Sequence, residues 1–238
     1  MEWRDEGFVI GARRHGENAV ILELMTRQRG RHLGLVRGGR SSAMRAALQP
    51  GNLVLASWRA RIEDHLGAFT VELLAARAAR FLDQGAALNG LATLAALLRL
   101  LPERDPHEEL FELADDIVLR FTARDAAAIA LARFELALLG ALGFGLDLDA
   151  CALTGATDDL AWVSPKSGRA VTRSAGAPWR ERLLPYPAFL QNASDEASAD
   201  EIAGAFRLTG YFLARDIFAP RGLPLPAPRA LYLETLGR

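Results

Sequence analysis

The chain has 238 residues, half of them apolar, and its 28 basic and 29 acidic side chains leave a formal net charge of −1. That length and apolar content predict a sizeable core in one large or two small domains, and the single cysteine, Cys151, excludes an internal disulfide and a Cys-rich metal site. The acidic start Met1-Glu2-Trp3-Arg4-Asp5-Glu6 lacks the apolar run of a secretory signal, and the most apolar stretch, 126–142, is interrupted by Arg133 and Glu135 and falls short of the ~20 residues of a membrane span, so a cytoplasmic protein with no membrane partner is expected.

Residues 6–75 read as β-structure. Phe8-Val9-Ile10 forms a first strand, followed by a turn at His15-Gly16-Glu17-Asn18. Val20, Leu22 and Leu24 then alternate with Ile21, Glu23 and Met25, a period of two with both faces partly apolar. Thr26-Arg27-Gln28-Arg29-Gly30 is a hairpin turn in which Gly30 supplies positive φ. A third strand runs from Arg31 to Val36, and Arg37-Gly38-Gly39-Arg40-Ser41-Ser42 is a flexible basic loop. A short helix over 43–48 stops at Pro50-Gly51. The last two strands, 52–61 and 69–74, are joined around Glu63-Asp64-His65. Five strands with a helical insert fit a small closed barrel of the OB type, with an SH3-like barrel as the structural alternative.

From about residue 79 the pattern becomes helical. An Ala- and Leu-rich helix covers 86–101. Asp105-Pro106-His107-Glu108 reads as a helix start, with Asp105 as N-cap, Pro106 at N1 and Glu108 at N3. That helix continues through Leu110, Leu113, Ile117 and Phe121 on one apolar face. Asp125 is expected to cap the next helix, which ends at Leu142; it is apolar nearly all round and so predicted to be a buried central helix. Residues 145–190 are rich in Gly, Ser, Pro and Thr and show no long period. Ser198 and Glu201 form a capping box for a helix through Phe206, Tyr211 and Phe212 that ends near Phe218. An extended connector from Gly222 leads to a short helix over 229–236. The expected class is α+β: a barrel domain over 1–78 and a helical domain over 79–238, interrupted by the loop-rich 145–190.

Charge is divided unevenly along this order. Residues 1–80 carry 13 basic and 8 acidic groups, whereas 81–238 carry 15 and 21. The asymmetry is sharpest between Arg27 and Arg61, a window with eight arginines and no acid: Arg27, Arg29, Arg31, Arg37, Arg40, Arg45, Arg59 and Arg61. Arginine forks match phosphate oxygens, and clustered cations release the counterions condensed on nucleic acid, so the window is a candidate polyanion site. The competing reading is a solvated face in a chain that uses 27 arginines to one lysine. That preference explains the choice of arginine but leaves the missing acids unexplained.

Catalytic chemistry is not legible. His15, His32, His65 and His107 lack metal-binding spacing, and there is no phosphate-binding glycine loop or nucleophile elbow. Gly38-Gly39 could cradle a phosphate or serve as a mobile turn. Asp115-Asp116 and Asp158-Asp159 read as solvated faces, and Ser41 and Ser42 lack a base partner. Trp58 and Phe69 could stack on bases or fill the core. The expectation is a protein that is not an enzyme and needs no metal or cofactor.

The segment from Phe134 to Gly155 resembles the central helix and following turn of the bacterial RecO family, recombination mediators of DNA repair. In order and spacing, His15-Gly16-Glu17-Asn18, Thr26-Arg27-Gln28-Arg29-Gly30, Val36-Arg37-Gly38-Gly39-Arg40 with Ser42, and Leu48-Gln49-Pro50 resemble the family's N-terminal motifs. Gly222-Leu-Pro-Leu-Pro-Ala-Pro-Arg229 resembles its final turn, with Pro228 where serine is usual. The resemblance implies an OB-fold, a helical body and a zinc-ribbon-like insert. Zinc-bearing relatives have two Cys-x-x-Cys pairs; here the first reads Cys151-Ala-Leu-Thr154, and the second, near Val171 to Ala175, has no cysteine. One thiolate cannot hold structural zinc, so the insert is expected to lack metal, with Trp162 and Val163 supplying apolar contacts instead.

The resemblance further implies binding to single- and double-stranded DNA and annealing of complementary strands. It implies action with RecR to load RecA on strands coated by single-stranded DNA-binding protein, whose acidic C-terminal tail is also gripped, and an association with the nucleoid. On this basis Arg37 and Arg40, flanking Gly38 and Gly39, are the first candidates for phosphate contact. Arg27, Arg29 and Arg31 come next, with Arg45, Arg59 and Arg61 completing the DNA-binding set. Arg120, Arg124, Arg133, Arg207 and Arg215 are possible rim residues of a tail-binding groove. Two alternatives stay open: an RNA-binding OB protein using the same basic face, and a protein-binding adaptor whose arginines serve an acidic partner.

Overall fold

The structure, a computed structural model, describes residues 1–62, 64–81 and 83–237. Glu63, placed by the sequence in the turn between the last two barrel strands, lies outside the described residues. The fold is mixed α+β and divides into two compact units, Met1–Thr122 and Ala123–Arg238.

The first unit is built on a closed five-stranded barrel of β1 (Glu2–His15), β2 (Ala19–Thr26), β3 (Gly30–Val36), β4 (Leu53–Arg59) and β5 (Ala68–Ala75), in the order β1-β2-β3-β5-β4. The first strand is much longer than the apolar triplet Phe8-Val9-Ile10 suggests. Its charged early half is paired with β4 from Glu2↔Arg59 to Phe8↔Leu53, while its later half continues along β2 as far as His15↔Ala19. An irregularity between Val9 and Gly11 lets the one strand bend between these two partners. The barrel closes through a parallel contact between Leu35 and Ala68. At Gly34 an added Cβ would stand 2.4 Å from the Phe69 ring, so the glycine makes room for that ring inside the barrel.

Val9, Leu22, Leu24, Val36, Val54, Ala56, Trp58 and Phe69 fill the interior. Trp58 and Phe69 are therefore core residues, and neither offers a face to a base; Trp58 Nε1 donates to the Leu66 carbonyl at 3.0 Å. His32 joins them, buried edge-on to Trp3, Trp58 and Phe69. Between β3 and β4 lies the short α1 (Ser42–Ala47), whose N-cap Ser41 accepts from the Met44 N–H.

Two helices complete this unit, α2 (Gly85–Leu98) and α3 (Glu108–Arg120). Phe111 of α3 packs on Phe8 with ring centroids 5.8 Å apart, and Asp115 pairs with Arg77 at 2.5 Å. The expected Asp105 cap is not used: α3 begins later, with His107 at the N-cap position. The reason is a docking contact. Arg104 N–H donates to the Arg31 carbonyl, and a Cβ at Gly30 would collide with the Asp105 carbonyl. Glu103 bridges to Arg31 of β3, Arg104 turns there at φ +65, and the chain becomes helical only beyond this contact.

The second unit starts with α4 (Arg124–Ala141), buried along most of its length as its all-round apolar sequence predicts. Asp125 sits inside its first turn, and Ala123 occupies the cap position. The low-period region contains a three-stranded sheet, β6 (Leu160–Val163), β7 (Ala170–Thr172) and β8 (Leu184–Pro185), with α5 (Arg173–Gly176) following β7. Strands of two to four residues are too short to register a period. The Ser198–Glu201 capping box opens α6 (Ala199–Phe212) as expected, and a π-helical turn extends it to Phe218. The last helix is α7 (Ala227–Leu236).

A buried ion pair ties α4, α6 and α7. Arg229 donates from Nε to Glu135 Oε1 at 2.7 Å, and from one terminal nitrogen to Glu135 Oε2 and the Phe206 carbonyl. Glu135 is 0% and Arg229 5% exposed. At Gly210 a Cβ would come within 2.9 Å of the guanidinium, so the missing side chain admits the fork.

Two outcomes test these readings. Burial, with the nearby Arg104 and Arg29 charges, depresses the His32 pKa from 6.5 to about 4, against a weaker opposing hydrogen bond to Leu33. The unfolded chain therefore binds a proton that the folded chain refuses as pH falls from 6.5 towards 4, and stability declines across that window by up to about 3 kcal/mol. Replacing His32→Phe should flatten the decline in urea midpoints over that range; an equally steep profile would remove His32 as its cause. For the second unit, Arg229→Met should cost about 3–5 kcal/mol by leaving Glu135 buried and unpaired, and Glu135→Leu/Arg229→Met should recover much of it. A double variant no better than the single one would show that packing, not the orphaned charge, dominates.

Candidate nucleic-acid interface

Strand direction decides where the arginine window goes. Since β2 runs antiparallel to β1 and β3, the 27–29 turn and the 37–40 turn lie at opposite ends of the barrel. The eight residues of β2 separate them by roughly 25 Å at the usual rise per residue. Arg59 pairs beside Glu2, so it and Arg61 belong to the end with Arg27, Arg29 and Arg31. Arg37, Gly38, Gly39, Arg40 and Arg45 belong to the other end.

At the first of these ends Arg27, Arg31 and Arg59 are paired with acids, whereas Arg29 and Arg61 show no ion pair among the described residues. Arg31 is locked between Glu23 at 2.9 Å and Glu103 at 3.7 Å, and its Nε donates to the Leu101 carbonyl; its side chain is 13% exposed. Glu23 is further shared with Arg99. Arg27 pairs with Glu112 and lies 4.8 Å over the Phe111 ring. Arg59 makes two hydrogen bonds to Glu2 at the surface. Arg29 and Arg61 are exposed. Several of the window's arginines thus find acids from outside the window, on β1, β2 and α3.

The other end is different. Arg14, Arg40 and Arg45 line one cavity of about 290 Å³ together with Gly39, Gln49 and Pro50. Among the described residues, none of these three arginines nor Arg37 has an ion-pair partner. Arg40 donates to the Glu17 carbonyl, which ties the 37–40 turn to the β1–β2 turn. Gly38, at φ +66, has open space around its α-carbon and supplies the turn, whereas a Cβ at Gly39 would lie 2.5 Å from Val20. The glycine pair lets the backbone hug β2 so that Arg37 and Arg40 flank it. Geometry of this kind presents several guanidinium forks around one concave surface, which suits phosphate oxygens.

Arg14 is the residue that the window missed, because Glu17 lies between it and Arg27. The register Arg14↔Val20 and Val20↔Val36 brings it alongside the basic turn. The pair Arg13-Arg14 just before a predicted hairpin turn was the available signal.

The model of the family "Recombination protein O N terminal" matches residues 1–77, and that of "Recombination protein O C terminal" matches 83–223. A DNA repair protein RecO from Chelativorans sp. (strain BNC1) is 57% identical over 240 aligned residues, covering 100% of this chain and 96% of its own length. The chain belongs to the RecO family. A Mesorhizobium japonicum protein of the same name is 54% identical, covering 99% of this chain and 94% of its own, and one from Rhodopseudomonas palustris (strain TIE-1) is 53% identical, covering 100% and 97%.

In the second unit of this RecO-family chain, a groove of about 790 Å³ is lined by Ile202, Phe206, Leu225, Leu233 and Leu236, with Arg207 on its wall and Asp125 and Asp200 also facing it. Of the other arginines considered for such a rim, Arg124 donates to the Thr235 carbonyl, Arg133 grips carbonyls of Phe189, Asn192 and Ser194, and Arg215 pairs with Asp216. Arg120, in the first unit, pairs with Asp116. Cys151 is buried. Burial pushes its thiol up, but hydrogen bonds from the Thr154 hydroxyl and the backbone of Thr172, Leu153 and Thr154 outweigh this and bring it from 9.0 to about 6. Among the described residues no group of three or more His, Cys, Asp or Glu side chains could hold a metal, and no helix is long and apolar enough to cross a membrane.

The two barrel ends predict opposite phenotypes. Arg31→Ala should lower unfolding free energy by about 2 kcal/mol, because Glu23 and Glu103 lose a shared partner in a half-dry site, and urea titration measures it. An Arg31→Ala chain as stable as wild type would mean that this network is solvated and contributes nothing.

Proposed function

We propose that this RecO-family chain is a non-enzymatic DNA-binding mediator of recombination in DNA repair. It holds single- and double-stranded DNA on the basic end of an OB-type barrel, anneals complementary strands, and with RecR helps load RecA on strands coated by single-stranded DNA-binding protein. The observation that carries the reading is the convergence of Arg14, Arg40 and Arg45 on one cavity, beside Arg37, with no paired acid among the described residues. The barrel's strand order, with a helix between β3 and β4, fits the OB pattern, whose loops and open face suit oligonucleotides. Relatives named DNA repair proteins, matched over nearly their whole length, support the biological setting.

Annealing of this kind needs no catalytic residue. Guanidinium groups offset the repulsion between two polyanions, and base pairing supplies the free energy. For the acidic tail of the coat protein, the groove lined by Ile202, Phe206 and Leu233 would take an apolar side chain while Arg207 meets a carboxylate. The small sheet around Trp162 and Val163 is read as a zinc-ribbon remnant that folds without metal. Val163 is fully buried, and the Cys151 sulfur accepts the Thr172 N–H at 3.3 Å, contacts that support a metal-free fold of this sheet.

The test is binding of a labelled single-stranded DNA across a salt series. For Arg40→Ala/Arg45→Ala the slope of log K against log salt should become shallower by about 1.4, at ~0.7 per lost phosphate contact. Arg27→Ala/Arg59→Ala, which touches paired arginines, should leave the slope near that of wild type. Wild type without salt-dependent binding would sink the DNA reading in favour of a protein-binding adaptor. Tighter binding to RNA of the same sequence would move the function to RNA.

A further inference from the structure

We propose that the second unit carries its own single-strand contact, formed by Trp179, Arg180, Arg182, Arg207 and Tyr211. The proposal rests on the DNA-binding reading above and adds a surface to it. The five residues come from two elements. A 3₁₀ turn over Ala177–Arg182 follows α5, and with three residues per turn it stacks Trp179 under Arg182, whose Cζ lies 5.9 Å from the indole centroid. Arg207 and Tyr211 share a face of α6 at a spacing of four.

Between the two elements is a cavity of about 510 Å³ lined by Trp162, Arg180, Arg182, Arg207 and Tyr211, with the Glu181 carboxylate also on its wall. Trp162 is one of its walls: a Cβ at Gly176 would come within 2.4 Å of the indole, so the turn sits tightly on that ring. With the inner position taken, Trp179 is left outside and is 55% exposed, and Tyr211 is 40% exposed. Arg215 lies 5.7 Å over the Tyr211 ring, so each exposed aromatic carries an arginine.

Charge points the same way. Arg180, Arg182 and Arg207 are exposed, and among the described residues none of them has an ion-pair partner, although Glu181 belongs to the same turn. Arg215 is already paired with Asp216. The unit containing this patch belongs to the acidic part of the chain, so the local excess of cations is not an overspill of net charge.

A single strand offers both phosphates and flat bases, and this face offers guanidinium forks beside two exposed rings, with the Glu181 carboxylate as its one acid among the described lining residues. An acidic peptide would use the forks but leave the indole and phenol faces idle. A duplex would use the forks alone, because its bases are stacked inside. The chemistry therefore selects an unpaired strand.

The experiment uses the full chain with a single-stranded oligothymidylate, followed by tryptophan fluorescence and by anisotropy across a salt series. Trp3 and Trp162 are partly buried and Trp58 is buried, so Trp179 is the ring best placed to report stacking. Oligothymidylate should quench wild type, and Trp179→Phe should abolish most of that quench. Arg180→Ala/Arg182→Ala should weaken binding about tenfold and make the salt slope shallower by about 1.4. That loss should add to the effect of Arg40→Ala/Arg45→Ala. Thermal unfolding checks that each variant is folded; should the arginine pair unfold the chain, the conservative Trp179→Phe carries the test alone.

Unchanged quench in Trp179→Phe, with binding still impaired by Arg40→Ala/Arg45→Ala, overturns this surface and leaves the barrel reading intact. Absence of any binding by wild type removes both. Stronger quenching of Trp179 by an oligoglutamate than by oligothymidylate overturns the strand assignment and makes the patch an acidic-peptide site.

Discussion

Because β1, β2 and β3 run antiparallel, residues 27–29 and 37–40 must face away from each other across the length of the barrel. Ten positions in sequence become a full strand in space. This constraint sorts the arginines into two populations with different physics. At one end acids from β1, β2 and α3 reach Arg27, Arg31 and Arg59. At the other, Arg14, Arg40 and Arg45 surround a cavity without such partners among the described residues. A guanidinium already sharing two carboxylates in a half-dry site would have to surrender them before meeting phosphate. An exposed, unpaired one gives up only water and a counterion.

Much of the barrel was legible because its signals are local. Period-two alternation in 20–25, a glycine needing positive φ at 30, and the Pro50-Gly51 stop each act within a few residues, and the structure keeps all three. The first strand was under-read because its outer half is polar: Trp3 and Asp5 are drawn into the sheet by pairing with β4, a partner fifty residues away. The α3 start was misread for a similar reason. Asp105-Pro106 has the chemistry of a cap, yet docking of Arg104 on Arg31, with Arg104 turned at φ +65, delays the helix to Glu108. Local propensity lost to a tertiary contact in both places.

The site was half legible for the same reason. An acid-free run is visible in one dimension, but compensation happens in three. Nothing near Arg31 in sequence announces Glu103, seventy-two positions on. Likewise nothing in the Arg27–Arg61 window announces Arg14, which reaches the basic turn by hairpin register. The role of Glu135 was hidden too. In sequence it interrupts an apolar helix; in space it is the acceptor for Arg229, and Gly210 is small so that the two can meet. Reading charge as a sum over a window therefore overstates the cations available for a ligand and misses some that are.

Under the proposed reading, this sorting bears on how tightly a strand is held. A handful of free arginines gives a modest salt slope and a strand that leaves readily, whereas a fully uncompensated window would hold it far more strongly at low salt. A mediator has to pass its strand on, so binding that is too tight opposes its own purpose. The ion pairs of Arg27 and Arg31 serve two ends at once: they fasten α3 and Glu103 to the barrel, and, with the surface pair Arg59–Glu2, they keep that end of the barrel from becoming a second strong trap. Folding contacts and weak, reversible grip then follow from the same set of acids.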